Sequence, residues 1–174
     1  MKKLFAIAVL GLVLVSCKKS SSPGSSIQAT INDTAHNFTV LTNGSVYDAG
    51  SYIRIGGVDG TNGATANQIS FVIRSNQAIV PGVYTDTANY VSLPTVENFV
   101  SITYGPVLQP IVAPFNYGTA GLAKSPVTVT VTSVSQTNIQ GTFEGTIYLG
   151  ADSSYHQNKV ITNGKFNVAL TFVD

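Results

Sequence analysis

The chain has 174 residues, a formal net charge of +1 and only 10% charged residues, against roughly 25% in an ordinary soluble domain. That length suits one domain plus a targeting segment, and it is enough for a hydrophobic core without disulfides or metals. No basic patch is present that would release many phosphate counterions, which argues against a nucleic-acid partner. The same sparse charge gives no field for steering a strongly charged substrate.

The N-terminus reads as an export signal. Met1-Lys2-Lys3 is a positive start, and Leu4 to Val15 form an apolar run. That run is too short for a spanning helix, which needs about 20 apolar residues. It ends in Leu14-Val15-Ser16-Cys17. This resembles the lipobox of bacterial lipoproteins: an aliphatic residue, a tolerant position, a small residue and a cysteine. The resemblance implies cleavage before Cys17 and diacylglyceryl and fatty acyl groups on that residue. Two long acyl chains give stable membrane anchoring.

Cys17 is the single cysteine, so no disulfide is available, and its position makes it an anchor rather than a nucleophile. Loss of residues 1–16 leaves seven Lys and Arg against eight acids, a formal −1. Lys18, not an acid, follows the cysteine. By resemblance to lipoprotein sorting in two-membrane bacteria, this predicts the outer membrane, facing the periplasm. Residues 17–26 read as the lipidated cysteine and a flexible polar tether, and residues 27–174 as the domain.

The domain reads as all-β. Period-two alternation with β-branched residues recurs, and no helical period of useful length appears. In chain order the predicted strands are Ile27–Ile31, His36–Leu41, Ser51–Gly57, Gln68–Ser75, Gly82–Thr85, Asn98–Tyr104, Pro126–Val134, Ile139–Leu149 and Lys165–Val173. The predicted inward residues are Phe38, Ile53, Ile55, Ile69, Phe71 and Ile73, then Val127, Val129 and Val131. Ile139, Phe143, Ile147 and Leu149 follow, and then Phe166, Val168, Leu170 and Phe172. In Asn98–Tyr104, Phe99 and the Val100/Ile102 pair compete for the inward face.

Asn43-Gly44, Asn62-Gly63, Asn163-Gly164 and Asp59-Gly60 read as turns needing φ > 0. Eight or nine such strands predict an antiparallel β-sandwich, with a β-barrel as the alternative. The outward Thr and Gln rows are too polar for a lipid-facing barrel. Residues 105–124 break the pattern with Pro106, Pro110 and Pro114. They read as a stretch that hides a short edge strand, or instead as a crossover packed over one end of the sandwich, or as an apolar loop that meets a partner or ligand.

The chemical signals are sparse. His36 and His156 lie far apart, and neither H-E-x-x-H nor G-x-S-x-G occurs. Ser16-Cys17-Lys18-Lys19 spells S-x-x-K only across the cleavage point. Glu144 is a lone carboxylate on a predicted outer face, with no partner spaced for glycoside hydrolysis; Asp152 is the nearby acid. Asp59-Gly60-Thr61-Asn62-Gly63 has too few acids for calcium and reads as a hairpin connection. Asp152 and His156 make only one pair of potential metal ligands, so neither a metal site nor a cofactor is expected. Tyr47, Tyr52, Tyr84, Tyr90, Tyr104, Tyr117, Tyr148 and Tyr155 could stack on sugars, or sit half-buried with wet hydroxyls.

Val127–Val131, then Gly141-Thr142-Phe143-Glu144-Gly145, then Ile161-Thr162-Asn163-Gly164-Lys165-Phe166 form a pattern. It resembles one found in small uncharacterised bacterial lipoproteins, with weaker likeness at Pro81-Gly82-Val83-Tyr84. The resemblance implies a β-sandwich and lipid anchoring, and no activity. The reading that follows is a lipid-anchored, non-enzymatic envelope protein that binds or scaffolds a protein or glycan. The rivals are a glycan-binding accessory of polysaccharide uptake and a hydrolase whose site is assembled in space.

Overall fold

A computed structural model describes residues 24–62, 65–85, 98–107, 117–118, 127–149 and 157–173. Within them lie eleven strands: β1 Ser26–Ile31, β2 Thr34–Phe38, β3 Val40–Tyr47, β4 Tyr52–Val58, β5 Asn67–Ser75, β6 Gly82–Thr85, β7 Asn98–Pro106, β8 Tyr117–Gly118, β9 Thr128–Val134, β10 Asn138–Leu149 and β11 Asn158–Phe172. The fold is all-β, as the alternating sequence requires.

The strands form one mixed sheet in the order β2-β1-β11-β3-β4-β5-β7-β8-β10-β9-β6. β10 also pairs with β11, so the path from β11 through β3, β4, β5, β7 and β8 returns through β10 and nearly closes as a barrel. Sandwich and barrel meet in the two long strands. One edge of β11 pairs first with β1 and then, in parallel, with β3. One edge of β10 pairs first with β9 and then with β8. Strands that switch layers in this way make the corners of a packed two-layer structure.

The inward face follows the predicted parity. Phe38, Phe71, Phe143, Ile53, Ile55, Ile69, Ile73, Ile139 and Ile147 are fully buried. Each such side chain stabilises the fold by about 1.5–3 kcal/mol relative to exposure. In β7 the ambiguity resolves toward Val100 and Ile102, both at 0% exposure. Phe172 departs from its predicted row. The last rungs of β11 lie at the open end of the barrel, where period-two alternation no longer guarantees cover, and Phe172 is 52% exposed.

Two predicted turns are not turns. Asn43-Gly44 lies inside β3, where Gly44 pairs with Leu170 and Ile55. A Cβ on Gly44 would meet Leu170 Cδ2 at 2.7 Å, so this glycine permits the close approach of β3 to β11. Asn163-Gly164 lies inside β11 at a bulge, with Asn163 at φ 54°. Register shifts against both β10 and β1 occur beside it, and the extra residue bends the corner strand.

The tight turn missed by the dipeptide rule is Asn32-Asp33, with φ 46° and 62°. It joins Ile31 directly to its partner Thr34, the geometry that suits a two-residue hairpin. A short 3-10 turn at Asp48–Gly50 links β3 to β4. Residues 105–124 do contribute a short strand, β8, but it is not an edge: it pairs with both β7 and β10.

Candidate functional site

β2 ends the strand order, and its inward residues are Phe38 and the half-buried His36. An imidazole facing a core must find partners. His36 Nδ1 lies 2.7 Å from Asp59 Oδ2, with 14% and 12% of the two side chains exposed. An ionised carboxylate only accepts, so Nδ1–H is the donor. On a neutral ring Nε2 then accepts from the Tyr104 hydroxyl, 3.4 Å away. Asp59 also accepts the Asn67 amide on Oδ1 at 2.6 Å and Asn67 Nδ2 on Oδ2 at 3.3 Å. The His36 ring stacks on Phe38 at 5.7 Å and meets the edge of Tyr104 at 5.5 Å.

This Asp–His–Tyr chain assembles an acid, a base and a hydroxyl. A carboxylate that fixes an imidazole tautomer is half of a catalytic triad's logic. Here, however, the group at Nε2 is a buried phenol at 8% exposure, not an open nucleophile. The hydrogen bonds of the network span several elements. They tie edge strand β2 to the β4–β5 connection and to β7.

Among the described residues, three open grooves lie on the outer surface. One, of about 320 Å³, runs over β3, β4 and β5 and is lined by Asn43, Ser45, Tyr47, Arg54, Gln68 and Ser70, with Gly56 and Gly57 among its walls. Leu41, 79% exposed and at φ 52°, sits on its border. A second, of about 300 Å³, crosses β9, β10 and β11 past Thr128, Thr130, Thr142, Glu144, Asn163 and Lys165. The third, of about 430 Å³, lies over β1 and β2, between Gln28, Thr30, Ala35 and Asn37, and borders His36.

Glu144 is exposed on the outer face, as its strand parity predicts. Cys17, Asp152, His156, Tyr90 and Tyr155 lie outside the described residues, and Tyr117 is placed by its backbone alone. Tyr84 and Tyr104 are buried, whereas Tyr47 and Tyr52 form a half-buried outward pair with ring centroids 5.3 Å apart. Asp59-Gly60 does begin the connection from β4 to β5, but its carboxylate serves His36 and Asn67. The sequence carried one signal for this: His36 stands two residues before inward Phe38, and so on the inward parity.

Two of the three segments behind the lipoprotein resemblance, Gly141–Gly145 and Ile161–Phe166, lie side by side. Gly141 pairs with Phe166, Thr142 with Lys165 and Phe143 with Gly164. The pattern is therefore a packing device in which each phenyl ring covers a glycine on the neighbouring strand. Comparison of the chain with family models, with curated proteins and with solved structures finds no match.

Proposed function

We propose that the chain is a lipid-anchored protein of the cell envelope, held through Cys17, that acts by binding or scaffolding rather than by turnover. The observation that carries this is Leu14-Val15-Ser16-Cys17 at the end of a short apolar run, with β1 starting at Ser26. The intervening residues reach about 30 Å at most when extended, so the domain works close to the bilayer. Lys18 supports the periplasmic face of the outer membrane. The open outer grooves support a surface ligand, a protein or a glycan, and the mature charge of −1 argues against nucleic acid.

Replacing Cys17 with alanine is expected to abolish acyl labelling and move the protein from the detergent phase to the aqueous phase. Unchanged partitioning would sink the lipid claim. Turnover of generic ester or glycoside substrates that disappears in His36→Ala would overturn the non-enzymatic reading.

A second reading, glycan binding, is favoured by the groove over β3, β4 and β5. It combines the Tyr47 ring with Arg54, Asn43, Ser45 and Gln68, groups that hydrogen-bond hydroxyls along a shallow face. Calorimetry with a panel of oligosaccharides is expected to show binding that Arg54→Ala weakens about tenfold, the loss of one charge-assisted hydrogen bond. Silence across the panel would count against this reading and leave the anchor untouched.

A further inference from the structure

The strands give the domain two ends, and the tether joins it at one of them. Ser26 pairs with Asn167, and Ser25 Oγ accepts a hydrogen bond from the Ala169 amide at 2.9 Å. β11 finishes at the same end, where Phe172 pairs with Val46 and the Val173 amide donates to the Val46 carbonyl at 2.9 Å. The Asp48–Gly50 turn follows β3 here. The Gly50 carbonyl accepts the Ile79 amide at 2.9 Å, which brings Val80 beside that turn.

This end carries exposed apolar side chains among polar turns, which hold Asp48, Asn76, Gln77 and Ser135 to Thr137. Phe172, Val173 and Val80 are 52%, 44% and 58% exposed. Just behind the tip, one cross-strand rung lines up Tyr47, Tyr52, Arg74 and Phe99 on four neighbouring strands. Tyr47, Tyr52 and Phe99 are half-buried and Arg74 is exposed. The outward rows of β9 and β10 differ, for they present Thr128, Thr130, Gln140, Thr142 and Glu144. The charges beside the rung are Arg54, two residues along β4 from Tyr52, and Asp48 in the turn.

Aliphatic and phenyl side chains at a tip, backed by tyrosines and an arginine, suit a boundary between hydrocarbon and head groups. Tyr keeps an apolar ring in one phase and a hydroxyl in the other, and Arg extends its charge to phosphates while its stem stays in apolar contact. We infer that the tether-side end of the domain seats on the phospholipid bilayer, with Phe172, Val173 and Val80 among the head groups and the Tyr47–Tyr52–Arg74–Phe99 rung at the boundary. This inference rests on the lipid attachment proposed above. The tether selects the bilayer over a soluble partner: it leaves from this end and holds it within about 30 Å of the acyl chains. Seated this way, the domain stands on the membrane with its grooves facing sideways and the Asn32-Asp33 turn pointing away.

The chain has no tryptophan, so a single one reports on its own surroundings. Full-length acylated Phe172→Trp and Val160→Trp would be placed in vesicles of phosphatidylethanolamine and phosphatidylglycerol, with lipids brominated high on their acyl chains. Val160 is exposed and lies at the other end, where its carbonyl accepts the Asn32 amide. Phe172→Trp is expected to shift its emission to the blue and lose roughly half its intensity to bromine, as befits a side chain about 5–10 Å into the interface. Val160→Trp is expected to be unaffected, and Val173→Trp is a second probe should Phe172→Trp misfold.

Acylated, vesicle-bound protein with no quenching at residue 172 or 173 would overturn the seated orientation while leaving the anchor intact. Protein that neither carries acyl mass on Cys17 nor floats with vesicles would instead overturn the attachment itself.

Discussion

Replacing Gly164 with alanine is expected to destabilise the domain by about 3 kcal/mol or more, the upper end of the range for overpacking a dense core. A Cβ at this position would strike the Phe143 carbonyl oxygen, and it would meet both Phe143 Cδ atoms at 2.8 Å. The first obstacle is backbone, so no side-chain rotation relieves it. Gly141 mirrors the situation: its Cβ would strike the Thr130 carbonyl oxygen and lie 2.5 Å from Phe166 Cζ.

The two rings involved belong to one cluster. Phe71 lies 5.1 Å from Phe143 and 5.2 Å from Phe166, centroid to centroid. Displacing either ring therefore disturbs the centre of the core. In thermal unfolding, Gly164→Ala and Gly141→Ala should each lower Tm by about 6–12 °C, given about 2–4 °C per kcal/mol for a domain of this size. Gly24→Ala is the control, because no atom lies within 4 Å of its added Cβ. A Tm for Gly164→Ala that matches the control would contradict the packing described.

The second large effect is expected at Asp59. Asp59→Ala removes the acceptor for His36 Nδ1–H, for the Asn67 amide and for Asn67 Nδ2 at one stroke. Donors left unpaired in a partly buried setting cost about 1–3 kcal/mol each at most, so the loss is expected near about 2–3 kcal/mol. His36→Ala should cost less, because Asp59 keeps both contacts to Asn67.

Urea denaturation of the two single variants and the double variant separates the terms. The double variant should fall short of additivity by about 1 kcal/mol or more, the mark of residues in one network. Strict additivity would show that the His36–Asp59 hydrogen bond does not hold β2 in place.

Much of the fold was legible because strands announce themselves by parity. Val127, Val129 and Val131 face the core and Thr128 and Thr130 line an outer groove, as alternation alone requires. What parity cannot reveal is where chain segments cross. Asn43-Gly44 and Asn163-Gly164 carry the dipeptide of a tight turn, yet one allows β3 to approach β11 and the other forms the bulge at a corner. In both cases a distant strand, invisible locally, decides the role. Asn32-Asp33 makes the real two-residue turn with residues that tolerate φ > 0 less readily than glycine, so its local signal was weaker.

The candidate site was less legible than the fold, for a related reason. His36 and Asp59 are brought together by the packing of β1 and β2 against β4, whose end carries Asp59, not by spacing. The exposed tip residues follow the same logic. Phe172 carries the inward parity of β11 but runs past the end of the core, so only the assembled barrel shows that it is uncovered. The proposed address, by contrast, rests on contiguous residues, and reading Cys17 as an anchor needs no fold.

The most direct test of the central claim is the intact mass of the mature protein taken from membranes. A lipid-anchored protein is expected to begin at Cys17 and to carry diacylglyceryl and acyl mass on that residue. A chain that begins elsewhere, or a Cys17 without lipid, would contradict that claim.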